Sequence, residues 1–273
     1  MRFQNKSALS YMFRNFGQLF FIALPVSVLL SFFAVPSSEI SFMQSFARGE
    51  FTVENYFNAF TQSYSLLRYG KWWWVILIAF VTLAFTISTI IVKIDRHMRV
   101  GEMQVFPVKR AFTVFPSALL FLFCCVLFAE VLFLVNVGVA YLIRFINNVT
   151  AIVTVAVVLN FLIRFVLAWL FSLLLLTFPL KYSEHYKYNV AMSYSVRDMS
   201  KRKRCLLSLS FGYVLSRYAA MCIAYLLHPY GLSFFPYLLV FLFAVMYVPC
   251  LAYVLYHESV GGERRDVSRV IFD

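Results

Sequence analysis

Charged residues are scarce in this chain of 273 residues, because Asp, Glu, Lys and Arg together make up only 13% of it. A soluble domain has about 25% charged residues and about 45 to 50% apolar ones. Here the hydrophobic share is 62%, and aromatic residues alone account for 19%. A soluble core cannot bury that much apolar surface, so the composition excludes an ordinary soluble globular protein.

The sequence also lacks the motifs of catalytic and metal sites. Its four histidines form no H-E-x-x-H pattern, and its five cysteines form no C-x-x-C pair. The nine glycines form no phosphate-binding loop, and there is no G-x-S-x-G nucleophile motif. We therefore expect no catalytic residue, metal or cofactor, and we interpret the protein as a non-enzyme whose cysteines are reduced packing thiols.

Long apolar runs are abundant instead. A helix that crosses a bilayer needs about 20 largely apolar residues. Six such runs predict an all-α fold, a single polytopic bundle of six transmembrane helices over residues 1–273. The predicted spans are residues 16–35, 72–92, 116–141, 151–179, 206–227 and 234–256.

The basic residues are distributed unevenly between the predicted loops. The chain has 24 Lys and Arg against 12 Asp and Glu. Residues 93–115 contain five cations and two anions, and residues 180–205 contain seven cations and two anions. The short loops at 142–150 and 228–233 contain Arg144 as their one cation. Cations concentrate on the cytoplasmic side of membrane proteins, so we expect both termini and both basic loops to be cytoplasmic.

Amphipathic segments precede the first, third and fifth spans and predict surface helices. Their apolar residues recur at helical spacing beside cations. With the hairpin that follows each one, they predict three helix-hairpin repeats. We expect the cations to bind anionic lipid headgroups rather than nucleic acid, because the predicted loops are too short for a soluble domain. These cations are Lys6, Arg14, Lys109, Arg110, Lys201, Arg202, Lys203 and Arg204.

Ionisable residues also occur inside the predicted spans. Glu130 and Arg164 lie at similar depths in antiparallel neighbours, and Arg217 lies near the middle of the fifth span. Asn160 is one turn from Arg164. Charges at mid-membrane cost about 2.5 to 3.5 kcal/mol each, so they should face protein or water. A Glu130–Arg164 pair that fixes helix packing and a pathway for an anionic ligand both fit this pattern, and the choice stays open.

One resemblance to a known family rests on the C-terminal part of the chain. It is carried by Ala191 with Ser195, by LSLSFGY at 207–213 and by PCLAYVLYHE at 249–258. These stretches resemble an uncharacterised bacterial six-helix membrane family, related to the membrane domain of some glycerophosphodiester phosphodiesterases. Tyr213 stands where that family often has tryptophan. The resemblance implies a bacterial plasma-membrane protein without a phosphodiesterase barrel, and it transfers no catalytic residue.

Two functions are consistent with these observations. The leading expectation is a non-catalytic membrane protein that organises lipids or partner proteins. The alternative is a small transporter or channel for an anionic solute or lipid that uses Arg164, Arg217 and Glu130. A protein partner and a homo-oligomer are both consistent with the sequence.

Overall fold

A computed structural model describes residues 2–34, 73–101, 108–143 and 149–261, with the isolated residues 40, 44, 48, 145, 264 and 266. These residues form nine α-helices, a 3-10 turn at His228–Tyr230 and no strand. The helices are α1 Arg2–Arg14, α2 Phe16–Ala34, α3 Trp73–Val100, α4 Val108–Ile143, α5 Val149–Leu173, α6 Thr177–Ser183, α7 Tyr188–Lys201, α8 Lys203–Leu227 and α9 Phe235–Val260. The expected all-α fold is confirmed.

The helices are those of a multi-pass membrane protein. Five of them are long and apolar enough to cross a membrane, and α1 with α2 makes a sixth if that bent pair is counted as one span. The axes of α1 and α2 differ by 88°. At the bend, the side-chain amide of Asn15 donates to the carbonyl of Tyr11 over 2.9 Å. Helix α1 is thus a separate helix at a large angle to the first span.

The long helices form a ring in chain order. Each of α2, α3, α4, α5, α8 and α9 packs against the next, and α9 closes the ring on α2. Helix α9 also packs against α1, α3 and α6. Every residue from Pro249 to His257 on α9 is buried. A helix buried on all sides lies at the centre of a core, so this half of α9 organises the bundle.

Two of the three predicted surface helices are separate helices. Helices α1 and α7 each end at a break before the next span, and for α7 the break is at Arg202. The prediction for the third span was wrong in its described part, because α4 runs without interruption from Val108 through Pro116. Proline removes one backbone donor but does not have to end a helix that neighbours support. The second repeat unit therefore lacks a separate surface helix over its described residues.

The fourth predicted span, 151–179, is divided into α5 and α6 by a turn at residues 174–176. Ser195 on α7 completes the hydrogen bonding at this turn. Its hydroxyl accepts from the N–H of Leu176 over 3.1 Å and donates to the carbonyl of Leu173 over 2.8 Å. Ser195 is fully buried, so one side chain satisfies two backbone groups that the turn leaves without helical partners.

We expect Ser195→Ala to destabilise the protein by about 1 to 3 kcal/mol, because it leaves buried backbone groups unsatisfied. Ser193→Ala is the matched control, since Ser193 lies on the same helix and is exposed. Thermal unfolding of both variants in detergent measures the difference. Equal melting temperatures for the two variants would show that Ser195 does not hold the turn.

One further prediction from the sequence concerns residues that lie outside the described part of the chain. The spacing of the aromatic residues over 56–67 predicts a surface helix with Thr52 as its N-cap, and Trp72 begins a predicted aromatic belt at the membrane interface.

Candidate functional site

A buried carboxylate organises the end of the bundle that carries the basic loops. The side chain of Asp95, near the end of α3, is only 4% exposed. One carboxylate oxygen accepts from Nη2 and Nε of Arg99 over 2.6 and 3.0 Å. The other accepts from the hydroxyl of Ser183 at the end of α6 over 2.6 Å. This arrangement ties α3 to α6 and gives a buried charge both a counter-charge and hydrogen bonds.

Two tyrosines of α9 complete the same polar region. Tyr253 is fully buried, and its environment includes Asp95 and Ser183. One turn later, the hydroxyl of Tyr256 donates to the carboxylate of Glu184. The tyrosines connect the central helix to α6.

The N-terminal helix and the segment after α9 dock beside this region. The hydroxyl of Tyr11 lies 2.9 Å from Nδ1 of His97. Arg264 donates to the hydroxyl of Ser7 over 2.7 Å and forms an ion pair with Asp266 over 2.7 Å. Residues from both ends of the described chain are therefore held against α3 and α9.

Three cations lie on or beside α6: Arg99, Arg110 and Lys181. Arg99 keeps 47% of its side chain exposed although it is paired with Asp95. Arg110, on the first turn of α4, is exposed. Both interact electrostatically with the phenol of Tyr182 on α6. Lys181, also on α6, places its ammonium 5.1 Å from the ring centroid of Tyr188. The carboxylates of Asp95 and Glu184 lie at the same end of α6, so the three cations outnumber the anions there by one.

An apolar cavity of about 260 Å³, partly open to the surroundings, lies among the helices next to this charged region. It is lined from α3, α4, α5, α6 and α9, and Tyr253 is among its lining residues. Five further lining residues represent the helices: Ile91, Phe121, Phe171, Phe178 and Val248. We call this the central cavity. Through Tyr253 its apolar interior borders the polar region around Asp95.

A second apolar cavity of about 350 Å³ lies between α4, α5 and α7. Its lining includes Cys125 and Tyr188. It shares Phe121, Phe171 and Leu174 with the central cavity. We call it the side cavity. The two spaces are therefore adjacent.

The mid-membrane residues predicted from the sequence lie elsewhere. Arg164 is 5% exposed, with its guanidinium 5.5 Å from the ring centroid of Tyr218. Arg217 is half-buried and lies 4.7 Å from the ring centroid of Tyr237. Such cation–π contacts are attractive, especially when desolvated. Neither arginine lines the central or the side cavity.

The structure describes less of the other two predicted intramembrane residues, Glu130 and Asn160. Glu130 on α4 is half-buried, and the side chain of Asn160 lies outside the described residues. Helices α4 and α5 are in contact. The pairing of Glu130 with Arg164 stays a prediction.

The predicted headgroup cations occupy three places. Lys6 and Arg14 are exposed on α1, and Lys109 is exposed beside Arg110 on α4. Lys201, Lys203 and Arg204 are exposed around the break between α7 and α8. Arg202 instead contacts Asp198 over 3.4 Å, Glu258 over 3.4 Å and Ser259 over 2.7 Å. Arg202 therefore joins α7 to α9, and lipid binding by the others stays a prediction.

Sequence reasoning missed the polar region itself. Asp95 and Arg99 are four residues apart on one helix, a spacing that favours pairing. Ser183 is 88 residues from Asp95, and Tyr256 is 72 residues from Glu184. The spacing of Asp95 and Arg99 was a local signal for their ion pair. The contacts of Ser183 and Tyr256 join distant parts of the chain, and no sequence pattern indicated them.

Within the described residues, no group of three His, Cys, Asp or Glu side chains could hold a metal ion. No family model, curated protein or solved structure matches this chain.

Proposed function

We propose that this chain is a non-catalytic membrane protein that binds and organises anionic lipid. The observation that carries the proposal is the central cavity, which is apolar and lies beside the cations around α6. An acyl chain would occupy the cavity, and the headgroup would lie near Arg110 and Lys181. This arrangement matches the two chemical parts of a lipid.

The cations would provide the selectivity. An acyl chain leaving the bilayer for an apolar cavity gains little hydrophobic free energy, because bilayer and cavity are similarly apolar. A basic residue near an anionic surface contributes about 1 kcal/mol. Lipids would therefore be distinguished by their headgroups.

The alternative, transport of an anion past Arg164 and Arg217, has weaker support. Both arginines lie over tyrosine rings, and neither borders the central or the side cavity.

The headgroup proposal is tested by neutralising two cations. Arg110→Gln with Lys181→Gln should weaken phosphatidylglycerol binding by about 30-fold, since two cations contribute about 2 kcal/mol. Native mass spectrometry of the purified protein during lipid titration measures this affinity. Phosphatidylcholine binding should change little, because that headgroup has no net charge.

Lys203→Gln with Arg204→Gln is the matched control, because it removes the same charge from an exposed site at the break between α7 and α8. It should lower the number of weakly bound lipids and leave the tightest one in place. Equal effects of the two double variants would reduce the proposal to general surface attraction and contradict a site at α6.

We also propose a bacterial plasma membrane, with the termini and the polar region on the cytoplasmic side. The cation distribution supports this orientation. In a variant without the native cysteines, an impermeant thiol reagent added outside the cell should label Tyr230→Cys and not Lys203→Cys. Lys203 begins α8, Tyr230 ends the 3-10 turn that follows the other end of α8, and both residues are exposed. Labelling of Lys203→Cys alone would reverse the orientation.

A further inference from the structure

The central and side cavities are neighbours. Phe121, Phe171 and Leu174 line both of them. A ligand with one apolar chain needs only one such space. Two adjacent apolar cavities instead match a ligand with two apolar chains, one in each cavity. The chains would diverge at the side chains that line both cavities.

Helix α6 lies where such a ligand would branch. Phe178 and Pro179 of α6 line the central cavity. Lys181 follows two residues later and lies over the ring of Tyr188, which lines the side cavity. The cation is thus flanked by residues of both cavities, and a phosphate near Lys181 is within reach of chains in either one.

Tyr188 provides an independent indication of a polar ligand group. Its hydroxyl is buried and has no hydrogen-bond partner within the described part of the chain. A buried hydroxyl left unsatisfied costs about 1 to 3 kcal/mol. Burial raises the pKa of the Tyr188 phenol, so the group stays protonated and able to donate. The ester carbonyl of a glycerolipid is an acceptor that would lie between its phosphate and its chains.

We infer that the ligand is a two-chain anionic phospholipid with one acyl chain in each cavity, its phosphate near Arg110 and Lys181 and an ester carbonyl bonded to Tyr188. This inference rests on the proposed lipid-binding function and specifies its substrate class. A fatty acid or a lysophospholipid has one chain and would leave one cavity unfilled.

The test compares phosphatidylglycerol with lysophosphatidylglycerol of the same chain length by native mass spectrometry. Met192→Trp fills the side cavity from α7, and Ala244→Phe fills the central cavity from α9. We expect Met192→Trp to reduce the preference for the two-chain lipid by about tenfold and to leave lysolipid affinity unchanged. Ala244→Phe should weaken both lipids.

Tyr188→Phe removes only the hydroxyl and should weaken both ester lipids, whereas Tyr186→Phe, at an exposed tyrosine of the same segment, should weaken neither. A phosphatidylglycerol with a photoactivatable group at the end of each acyl chain keeps the test decisive if a filled variant does not fold. In the wild-type protein it should crosslink to residues 124–128 or 192–196.

The outcomes separate the two proposals. Equal binding of both lipids by the wild-type protein, or crosslinks confined to residues 87–91 and 244–252, would overturn the two-chain inference and leave anionic-lipid binding standing. Binding that is indifferent to headgroup charge would overturn the proposed function itself.

Discussion

Arg99→Met is expected to lower the free energy of unfolding by about 3 to 5 kcal/mol, considerably more than Asp95→Asn. The asymmetry follows from burial. Without Arg99, the carboxylate of Asp95 is left without its paired arginine although its side chain is only 4% exposed. Without the charge of Asp95, Arg99 is left with a side chain that is 47% exposed and can be hydrated.

Thermal and denaturant unfolding in detergent measures this difference. The double variant Arg99→Met with Asp95→Asn should recover part of the loss, because no buried charge is then left without its partner. Arg96→Met is the control, since residues adjacent on a helix face different directions. Equal losses for the two single variants would mean that water reaches Asp95 and that the site is not dry.

Glu130→Leu and Arg164→Leu form the second pair with a large expected effect. If the two side chains pair at mid-membrane, each single change should cost about 3 to 5 kcal/mol, because it strands one buried charge. The double change should cost less than either. Glu130→Leu should be the more destabilising single change, because it leaves behind the charge of Arg164, which is only 5% exposed, whereas Glu130 is half-buried.

Simple additivity in that double-mutant cycle would show that Glu130 and Arg164 are not coupled. A different result would favour the transport alternative. If all three variants kept the stability of the wild-type protein and lost an anion flux in proteoliposomes, the charges would line a pathway. Lys203→Gln is a suitable flux control, because Lys203 is exposed before the first long apolar stretch of α8.

The sequence predicted the long helices well and their interruptions poorly. Runs of about 20 apolar residues fix the spans because backbone groups in lipid must be satisfied within a helix. The turn at residues 174–176 was not predictable in the same way. It depends on Ser195, which lies 19 residues from Leu176 and 22 from Leu173. Helical periodicity indicates which face of a helix is apolar. It carries no information about a hydrogen-bond partner, such as Ser195, that lies on another helix.

The surface helices illustrate the same limit. Residues 108–115 have the amphipathic pattern of α1 and α7, yet they are the first turns of α4. A pattern of apolar and basic residues predicts which face is apolar, but it does not predict whether the helix bends at its end. For the candidate site, the sequence identified Arg110 as a lipid-binding cation. It did not identify Lys181, Tyr188 or the cavities, because these depend on packing between distant segments.

The central position of α9 has a consequence for biosynthesis. Arg264 and Ser7 are 257 residues apart in the chain and form one hydrogen bond. At about 5 to 20 residues per second, a ribosome needs roughly 10 to 50 seconds to make the intervening chain. Helix α1 is therefore synthesised well before α9, the helix on which it docks. The earlier spans also enter the bilayer before α9 is present to complete the core. The protein's final packing is consequently a late event in translation, and an arrest before α9 would leave α1 without the helix on which it docks.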